Sequence, residues 1–423
     1  MKSVELGGCG LSTFAVIAML SGCSGGGGSP LTPSPAGVAA ERTHTRHAYR
    51  VLYSFKGGSD GAFPSASLTN VNGTFYGTTT QGGLGCGSSG CGTIYSIKAS
   101  GKETVLHRFK GGPADGQAPQ ASLLNVNGIL YGTTAAGGTY GNGTVFAITK
   151  SGRETVLYSF KGGPADGAIP SASLLDVNGM LYGTTVNGGA SCSGSHGCGT
   201  VFSITTSGKE TLLYSFKSGK TDGQFPYAGL VNVKGELYGT TNWGGANCKK
   251  GLACGTVFSI TRSGKETVRY SFKGGADGQN PQAALIDVKD KLYGTVTGLG
   301  AYCRCGTVFA VTPSGTETVL HSFDGYSYDG AVPQAALLDM RGTLYGTTRG
   351  GGSYSYGEGT IFEISTSGKE HVLHSFDYPD GVYPVASLIN IKGTLYGTAS
   401  QGGSDYCPNS SYYGCGTVFA LKP

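Results

Sequence analysis

Residues 170–216 read "PSASLLDVNGMLYGTTVNGGASCSGSHGCGTVFSITTSGKETLLYSF" and contain four short segments of strand-forming residues. These segments are "PSASLLDV", "MLYGTT", "GTVFSIT" and "TLLYSF". The first two are separated by "NG", a pair suited to a two-residue hairpin turn in which both residues need positive φ. The proline stands at the first position of its segment, where a missing N–H is tolerated. The stretch therefore predicts four antiparallel strands, with a long cysteine-containing loop between strands 2 and 3.

The same pattern recurs seven times along the 423 residues of the chain. The tyrosines of its "YG" motif, spaced 51 to 56 residues apart, are Tyr76, Tyr131, Tyr182, Tyr238, Tyr293, Tyr345 and Tyr396. Four strands in a unit of about 50 residues are typical of a propeller blade. We therefore expect an all-β fold, a single seven-bladed β-propeller with four antiparallel strands per blade.

The phase of the repeat predicts how the ring closes. The first element is "RVLYSF" at 50–55, a strand 4 with no preceding strands 1 to 3. The last is "GTVFAL" at 416–421, a strand 3 without a following strand 4. We expect the N-terminal strand to complete the last blade, which makes residues 48–423 one domain.

The repeat also supports a family resemblance. The "NGxLYGTT…GG" hairpin followed by "GTVF" resembles a kelch-type blade. It more closely resembles the bacterial GloVer (Gloeo/Verruco) tandem-repeat proteins, which carry varied surface anchors. The resemblance covers about residues 48–423 and implies an exported, anchored repeat protein with no settled biochemical activity.

The N-terminal residues read as a targeting segment. Leu11 to Leu20 is apolar and too short to span a bilayer. The "LSGC" that ends at Cys23 resembles a lipoprotein lipobox, which implies a signal peptide over 1–22 and lipid attachment to Cys23. The alternative is an ordinary cleaved signal. Residues 23–47 are rich in Gly, Ser and Pro and read as a tether. We expect a protein of the bacterial cell envelope, periplasmic or at the cell surface, that contacts the membrane through its lipid alone.

The charge composition limits the kinds of partner that the chain is expected to bind. Charged residues make up 13% of the chain, and its formal charge of +5 is spread without Lys/Arg blocks. A nucleic-acid-binding protein would carry a clustered basic face. We therefore expect no nucleic-acid partner, and we expect a monomer.

Of the twelve cysteines, Cys9 and Cys23 precede the repeats, and the other ten form five local pairs, each in the loop between strands 2 and 3. The predicted disulfides are Cys86–Cys91, Cys192–Cys198, Cys248–Cys254, Cys303–Cys305 and Cys407–Cys415. An even count in an exported chain favours disulfides. A zinc or redox site is the alternative, but zinc needs four convergent ligands and only the loop of Cys192 adds a histidine, His196.

An Asp-Gly pair recurs in every connection from strand 4 to the next strand 1. The aspartates are Asp60, Asp115, Asp166, Asp222, Asp277, Asp329 and Asp380. We interpret them as turn residues whose carboxylates accept hydrogen bonds from nearby backbone N–H groups. The alternative is a ring of Ca²⁺ sites, in which each junction supplies one carboxylate and carbonyl oxygens. No other cofactor is expected.

Ligand specificity should lie where the blades differ, on the face that carries the long loops. One variable position follows the strand-1 proline, and another follows the "YGTT" run. The candidate ligand-binding residues are Tyr227, Trp243, Gln120, Gln282, Gln334, Asn187 and Arg349. An aromatic surface ringed by amides suits a sugar or a peptide. Alternatively, Trp243 packs on its own loop.

Three functions remain open at this stage. The first is a non-enzymatic binding module for a glycan, peptide or protein. The second is a propeller enzyme acting on polysaccharide, which would need two carboxylates in one pocket. The non-recurring acids of the loops, Glu358 and Asp405, lie on different blades, so we predict no catalytic residues. The third is a purely structural envelope protein.

Overall fold

The structure is a computed structural model. It describes residues 47–83, 85–190, 192, 196–246, 254–298, 300–301, 304–325, 329–353, 357–403, 406–408 and 414–423. The predicted signal peptide, Cys23 and all but the last residue of the predicted tether lie outside these residues. The compact unit that holds the described residues runs from Arg46 to Pro423. No helix in the described part of the chain is long and apolar enough to cross a membrane.

Seven four-stranded antiparallel sheets form the blades, numbered here in chain order, and strands 1 to 4 are counted outward from the axis. Strands 1 are Thr69–Val71, Leu124–Val126, Leu175–Val177, Val231–Val233, Ile286–Val288, Leu338–Met340 and Ile389–Ile391. Strands 2 are Thr74–Thr79, Ile129–Thr134, Met180–Thr185, Glu236–Thr241, Lys291–Val296, Thr343–Thr348 and Thr394–Ala399. Strands 3 are Thr93–Lys98, Thr144–Ile148, Thr200–Thr205, Thr256–Ile260, Thr307–Val311, Thr360–Ser365 and Thr417–Lys422. Strands 4 are Glu103–Arg108, Glu154–Ser159, Glu210–Ser215, Glu266–Ser271, Glu317–Ser322, Glu370–Ser375 and Ala48–Ser54.

Short strands tie the long loops to the connections between blades. In four places a two-residue strand in the connection pairs with one in the loop after strand 2. These pairs are Gly116–Gln117 with Ala136–Gly137, Gly167–Ala168 with Asn187–Gly188, Gly223–Gln224 with Trp243–Gly244, and Gly330–Ala331 with Gly350–Gly351. Two 3-10 turns, Gly87–Ser89 and Gly275–Asp277, complete the elements of the described residues. The long loops and the connections therefore lie on one face.

Blade 7 closes the ring in the predicted way. The N-terminal strand Ala48–Ser54 pairs antiparallel with Thr417–Lys422, so that Ala48 faces Lys422 and Ser54 faces Thr417. The outermost strand of the last blade thus comes from the start of the domain. The two ends of the domain are held by one sheet, which leaves no open edge between the first and last blades.

Aromatic rings pack between neighbouring blades. Phe216, which follows strand 4 of blade 3, meets Phe258 of blade 4 edge-to-face with ring centroids 5.0 Å apart. Equivalent contacts occur at every junction, including Phe376 with Phe419 of the closing blade. Within a blade the strand-3 ring lies across the glycine of "YG". A Cβ on Gly183 would lie 2.5 Å from Cζ of Phe202, so only glycine fits beneath the ring.

A ring of buried threonine hydroxyls also joins the blades. The first threonine of "YGTT" donates to the carbonyl of the alanine that lies two residues after the proline of the next blade. Thr184 Oγ1 lies 2.9 Å from the Ala228 carbonyl oxygen, and Thr398 Oγ1 lies 3.1 Å from that of Ala66. The second bond closes the ring from blade 7 to blade 1. Because each bond is buried, breaking one would leave an unpaired carbonyl between blades.

Candidate functional site

The connection between blades leads from the outer edge of the propeller to its axis. It begins at the recurring aspartate and reaches the variable residue after the proline five positions later, as from Asp222 to Tyr227. The aspartate is buried in blade 4, whereas Tyr227 is 41% exposed. Each connection therefore carries one constant end and one variable end.

The residue before each proline has a left-handed backbone conformation. Its φ lies between 55° and 60° in all seven blades: Phe63, Ala118, Ile169, Phe225, Asn280, Val332 and Tyr383. This conformation costs a non-glycine residue roughly 1–3 kcal/mol, and a following proline disfavours it further. Two backbone hydrogen bonds hold it at each junction. The N–H of Ile169 donates to the Asn142 carbonyl of the preceding blade, and its carbonyl accepts from the Val186 N–H of its own blade.

The residues after the seven prolines meet in one cavity of about 560 Å³ at the ring axis. These residues are Ser65, Gln120, Ser171, Tyr227, Gln282, Gln334 and Val385. Thr80, Gln81, Ser89, Gly90, Gln117 and Ala118 complete the lining. The volume falls within the range of small-molecule sites. The strained residue before each proline fixes the backbone that presents these side chains.

The chemistry of the cavity is polar and uncharged. Among the described residues that line it, none carries a formal charge, and the side chains offer amides, hydroxyls and one aromatic ring. Partial burial raises the pKa of Tyr227. Its hydroxyl, protonated at neutral pH like that of any tyrosine, is able to donate. The hydroxyl of Ser65 is buried without a hydrogen-bond partner in the described structure. The lining thus presents donors and acceptors to a neutral ligand.

The cavity departs from sevenfold symmetry on one side. Ser89 and Gly90, in the loop closed by Cys86 and Cys91, contribute to the lining. Gln81 and Gln117 add two amides on the same side. A ligand on the axis would therefore meet different groups around the ring.

Four of the seven candidate ligand-binding residues line this cavity, namely Tyr227, Gln120, Gln282 and Gln334. The other three lie elsewhere. Trp243 is 47% exposed, and its ring meets that of Phe225 edge-to-face at 5.5 Å, so it packs on its own blade. Asn187 pairs with Ala168 in a two-residue strand. The Arg349 guanidinium lies 5.0 Å from the centroid of the Tyr383 ring.

Glu358 does not line the cavity either. It is buried, and burial together with the charge of Asp377 raises the pKa of its carboxyl. It stands directly before the "GT" of strand 3, where five of the other six blades have a cysteine. Asp405 lies outside the described residues. The structure therefore does not bring a pair of carboxylates to the axis among the residues that it describes.

Disulfides close the loops between strands 2 and 3. Cys86 and Cys91, Cys192 and Cys198, and Cys407 and Cys415 are bonded, with Cα atoms 5.3, 5.5 and 4.9 Å apart. Cys254 and Cys305 are also disulfide-bonded. Their predicted partners, Cys248 and Cys303, lie outside the described residues. Disulfides on this scale indicate an oxidising compartment outside the cytoplasm.

The recurring aspartates organise the outer ends of the connections. Asp166 accepts hydrogen bonds from the Lys161 N–H at 2.8 Å, the Gly167 N–H at 2.7 Å and the Tyr158 hydroxyl at 2.8 Å. These contacts agree with the turn interpretation of the aspartates and extend it to a side chain of strand 4. The calcium alternative stays a prediction.

A glutamate of the next blade approaches each of six aspartates, a contact that the sequence reading missed. These glutamates are Glu103, Glu154, Glu210, Glu266, Glu317 and Glu370. Burial, followed by the charge of the neighbouring aspartate, raises the pKa of each carboxyl to about 7. The sequence pattern that could have revealed these glutamates is their recurrence as the first residue of strand 4. At the seventh junction Tyr49 stands in this place.

Comparison with known proteins identifies the repeat. The Gloeobacter/Verrucomicrobia repeat matches residues 20–195 and 190–419. A search of curated proteins returned no match. The structure is similar to the tricorn protease at 9% identity and a TM-score of 0.41, covering 79% of this chain and 27% of that one. It is also similar to a luciferin-regenerating enzyme at 12% identity and a TM-score of 0.41, covering 89% and 95%. Since the repeat matches span nearly all of the propeller, the chain belongs to the Gloeobacter/Verrucomicrobia repeat family.

Proposed function

We propose that this protein is an exported, lipid-anchored binding module whose axial cavity holds the uncharged end of a glycan. One observation carries the proposal. The residue after the proline varies between blades, and all seven blades bring this variable position to one cavity. A purely structural ring would have no need for different polar side chains at its axis.

The lining suits a ligand rich in hydroxyl groups. Gln120, Gln282 and Gln334 each offer an amide that donates and accepts, which matches the dual character of a sugar hydroxyl. The ring of Tyr227 offers an apolar face beside them, on which a pyranose can stack. A charged ligand would meet no opposite charge among the described lining residues. A neutral glycan fits these groups better than an ionic ligand, and an uncharged peptide segment is the alternative.

The same lining favours binding over hydrolysis. Glycoside hydrolysis uses two carboxyl groups, about 5–5.5 or 6.5–9.5 Å apart, on either side of the scissile bond. The described residues around the cavity supply amides and hydroxyls instead. These groups can orient a ligand, but they give no general acid for a leaving group.

The anchor is supported by the N-terminal residues and the disulfides. The lipobox-like "LSGC" precedes a Gly/Ser/Pro-rich stretch of about two dozen residues. A flexible chain of this length spans on the order of 25 Å, which would hold the propeller clear of a membrane surface. The bonded cysteines support an oxidising compartment.

A glycan array with two matched variants tests the proposal. Tyr227→Ala removes the aromatic face of the cavity, and Trp243→Ala removes an aromatic of similar exposure on the same blade that lies outside it. We expect binding of a neutral glycan that weakens about two- to tenfold in Tyr227→Ala, because an aromatic stacking contact contributes roughly 0.5–1.5 kcal/mol, and stays unchanged in Trp243→Ala. Loss of binding only in Trp243→Ala would place the site on the rim. Absence of any glycan or peptide ligand would contradict the proposal.

A further inference from the structure

The seven blade junctions at the outer edge differ in one side chain. The strand-4 residue that faces the aspartate is tyrosine at four junctions, at Tyr53, Tyr158, Tyr214 and Tyr270, and histidine at the other three. At the tyrosine junctions the phenol donates to the aspartate at 2.7 to 2.8 Å. Histidine replaces this donor with an imidazole nitrogen, which is a ligand for metal ions in its neutral form.

We propose that two of the histidine junctions each bind a Zn²⁺ ion. The ligand sets are His107 with Asp115 and Glu154, and His321 with Asp329 and Glu370. In each set one donor atom from every residue lies within 4.8 Å of the others. A water molecule would supply the fourth ligand of a tetrahedral ion.

The spacing between donor atoms matches that coordination. Nε2 of His107 lies 3.4 Å from Oδ2 of Asp115, and Nε2 of His321 lies 3.4 Å from Oδ1 of Asp329. This separation is long for a charge-assisted hydrogen bond. Zinc–ligand bonds of about 2.0–2.1 Å at tetrahedral angles place two donors about 3.3 Å apart. The pairs are therefore spaced as neighbouring ligands of one ion.

Buried donor atoms without hydrogen-bond partners are present at both sites. Nε2 of His107 and Oε1 of Glu154 are buried and make no hydrogen bond within the described structure. Oε1 of Glu370 is in the same condition, as are Oε1 of the glutamate at each tyrosine junction and Nε2 of His374. The two proposed sites differ from these junctions in combining a histidine with the glutamate. Leaving such atoms unpaired is costly, and a divalent ion would satisfy them together.

The third histidine junction lacks a ligand. His374 lies 3.0 Å from Asp380, but Tyr49 replaces the glutamate there. The Tyr49 ring stacks on the imidazole with centroids 3.9 Å apart. One histidine and one carboxylate remain, one protein ligand fewer than in each proposed site and fewer than zinc sites use. The His374 junction therefore serves as an internal control, which we expect not to bind zinc.

An ion in either site would join two blades. His107 lies on strand 4 of blade 1, Asp115 in the following connection, and Glu154 on strand 4 of blade 2. Zinc would therefore connect neighbouring outer strands and stabilise the folded ring, because the three ligands come together only in the folded state. The set of His321 would do the same between blades 5 and 6.

Zinc content per chain tests the proposal. The untagged protein, with free thiols alkylated, is loaded with Zn²⁺, freed of excess ion and measured by mass spectrometry of the metal. We expect two ions in the wild type and in His374→Tyr, one in His107→Tyr or His321→Tyr, and none in the double variant His107→Tyr/His321→Tyr. The tyrosine substitutions are matched to the fold, because four junctions carry tyrosine at this position.

Thermal unfolding supplies the second readout. Zn²⁺ should raise the midpoint temperature of the wild type and of His374→Tyr, and it should leave that of the double variant unchanged. A wild type that binds no zinc would overturn the proposal. A folded double variant that keeps two ions, or that is stabilised by zinc as the wild type is, would overturn it equally.

Discussion

The outer and inner ends of the connection between blades differ in how far their residue type varies between repeats. At the outer end, Asp166 is buried and accepts three hydrogen bonds, two of them from backbone N–H groups. At the inner end, five residues later, Ser171 lines the axial cavity. The outer position is aspartate in every blade, whereas the inner one is serine, glutamine, tyrosine or valine.

The difference shows how a repeat can hold a ring together and still vary its ligand. The outer end needs an acceptor that satisfies groups in every blade, so its residue type is restricted. At the inner end, two backbone hydrogen bonds to the residue before the proline hold the backbone, so its conformation does not depend on the side chain after the proline. Side chains at the axis can therefore change without disturbing the blades.

The largest effect should follow from breaking the outer end. Asp166→Ala leaves the Tyr158 hydroxyl and the N–H groups of Lys161 and Gly167 without their acceptor. We expect the free energy of unfolding to fall by about 3 kcal/mol, since each buried unpaired donor costs roughly 1–3 kcal/mol and some will find water. Urea unfolding measures this change.

The matched control lies in the same connection. Ser171→Ala should change the free energy of unfolding by less than about 0.5 kcal/mol. Asp166→Asn keeps an acceptor oxygen and should fall between the two. Equal losses in Asp166→Ala and Ser171→Ala would show that the two ends do not differ as described.

Replacing Glu210, the glutamate that approaches Asp166, should have a smaller effect on stability, and this effect should depend on pH. Burial, then the charge of Asp166, raises the pKa of Glu210 to about 7. Between its unfolded pKa of about 4.3 and this value the folded state binds more protons, so stability falls as pH rises and levels off above about 7. Glu210→Gln keeps the neutral shape. We expect it to raise the free energy of unfolding by about 1 kcal/mol near pH 8 and by almost nothing near pH 4, with solvent exposure reducing the full shift.

Glu236 provides a control of opposite sign. Partial burial acts to raise its pKa, but hydrogen bonds from Ser259, Arg269 and Tyr238 outweigh it and lower the pKa of this carboxyl. Its contribution to stability is present above the unfolded pKa and lost in acid. Glu236→Gln should therefore destabilise the protein near pH 8. Urea unfolding at pH 8 measures the change in the free energy of unfolding for Glu210→Gln and for Glu236→Gln. Changes of the same sign in the two variants would contradict the opposite directions of these pKa shifts.

The blades were predictable because their signals are local. The "NG" turn fixes the first hairpin, and Asn178 and Gly179 do have the positive φ that it requires. The offset of the repeat predicted that Ala48–Ser54 would complete the last blade. The left-handed residues before proline were not predictable in this way. Ile169 and Val332 are β-branched, and no residue type marks the position, because hydrogen bonds from two blades impose the conformation.

The site was predictable only in part. Variation between repeats picked out Gln120 and Tyr227, which line the cavity, but it also picked out Trp243, which does not. A position can vary between repeats where the fold does not restrict its residue type. This is true of exposed loops as well as of the axial cavity. Contacts between repeats were harder still. Asp115 and Glu154 are 39 residues apart in sequence, and only the packing of neighbouring blades brings them together.

The smallest effect should come from Arg349, a variable residue outside the cavity. Its guanidinium lies over the ring of Tyr383, one of the left-handed residues before proline, while its backbone N–H donates to the Val332 carbonyl at 3.1 Å. Arg349→Ala removes the cation–π contact and keeps the backbone bond. We expect the free energy of unfolding to fall by about 0.5 kcal/mol, as urea unfolding would measure, and glycan affinity to stay within a factor of about two. A tenfold loss of affinity would instead mean that the ligand extends from the axis to the rim of blade 6, so that the variable surface and the binding surface are one.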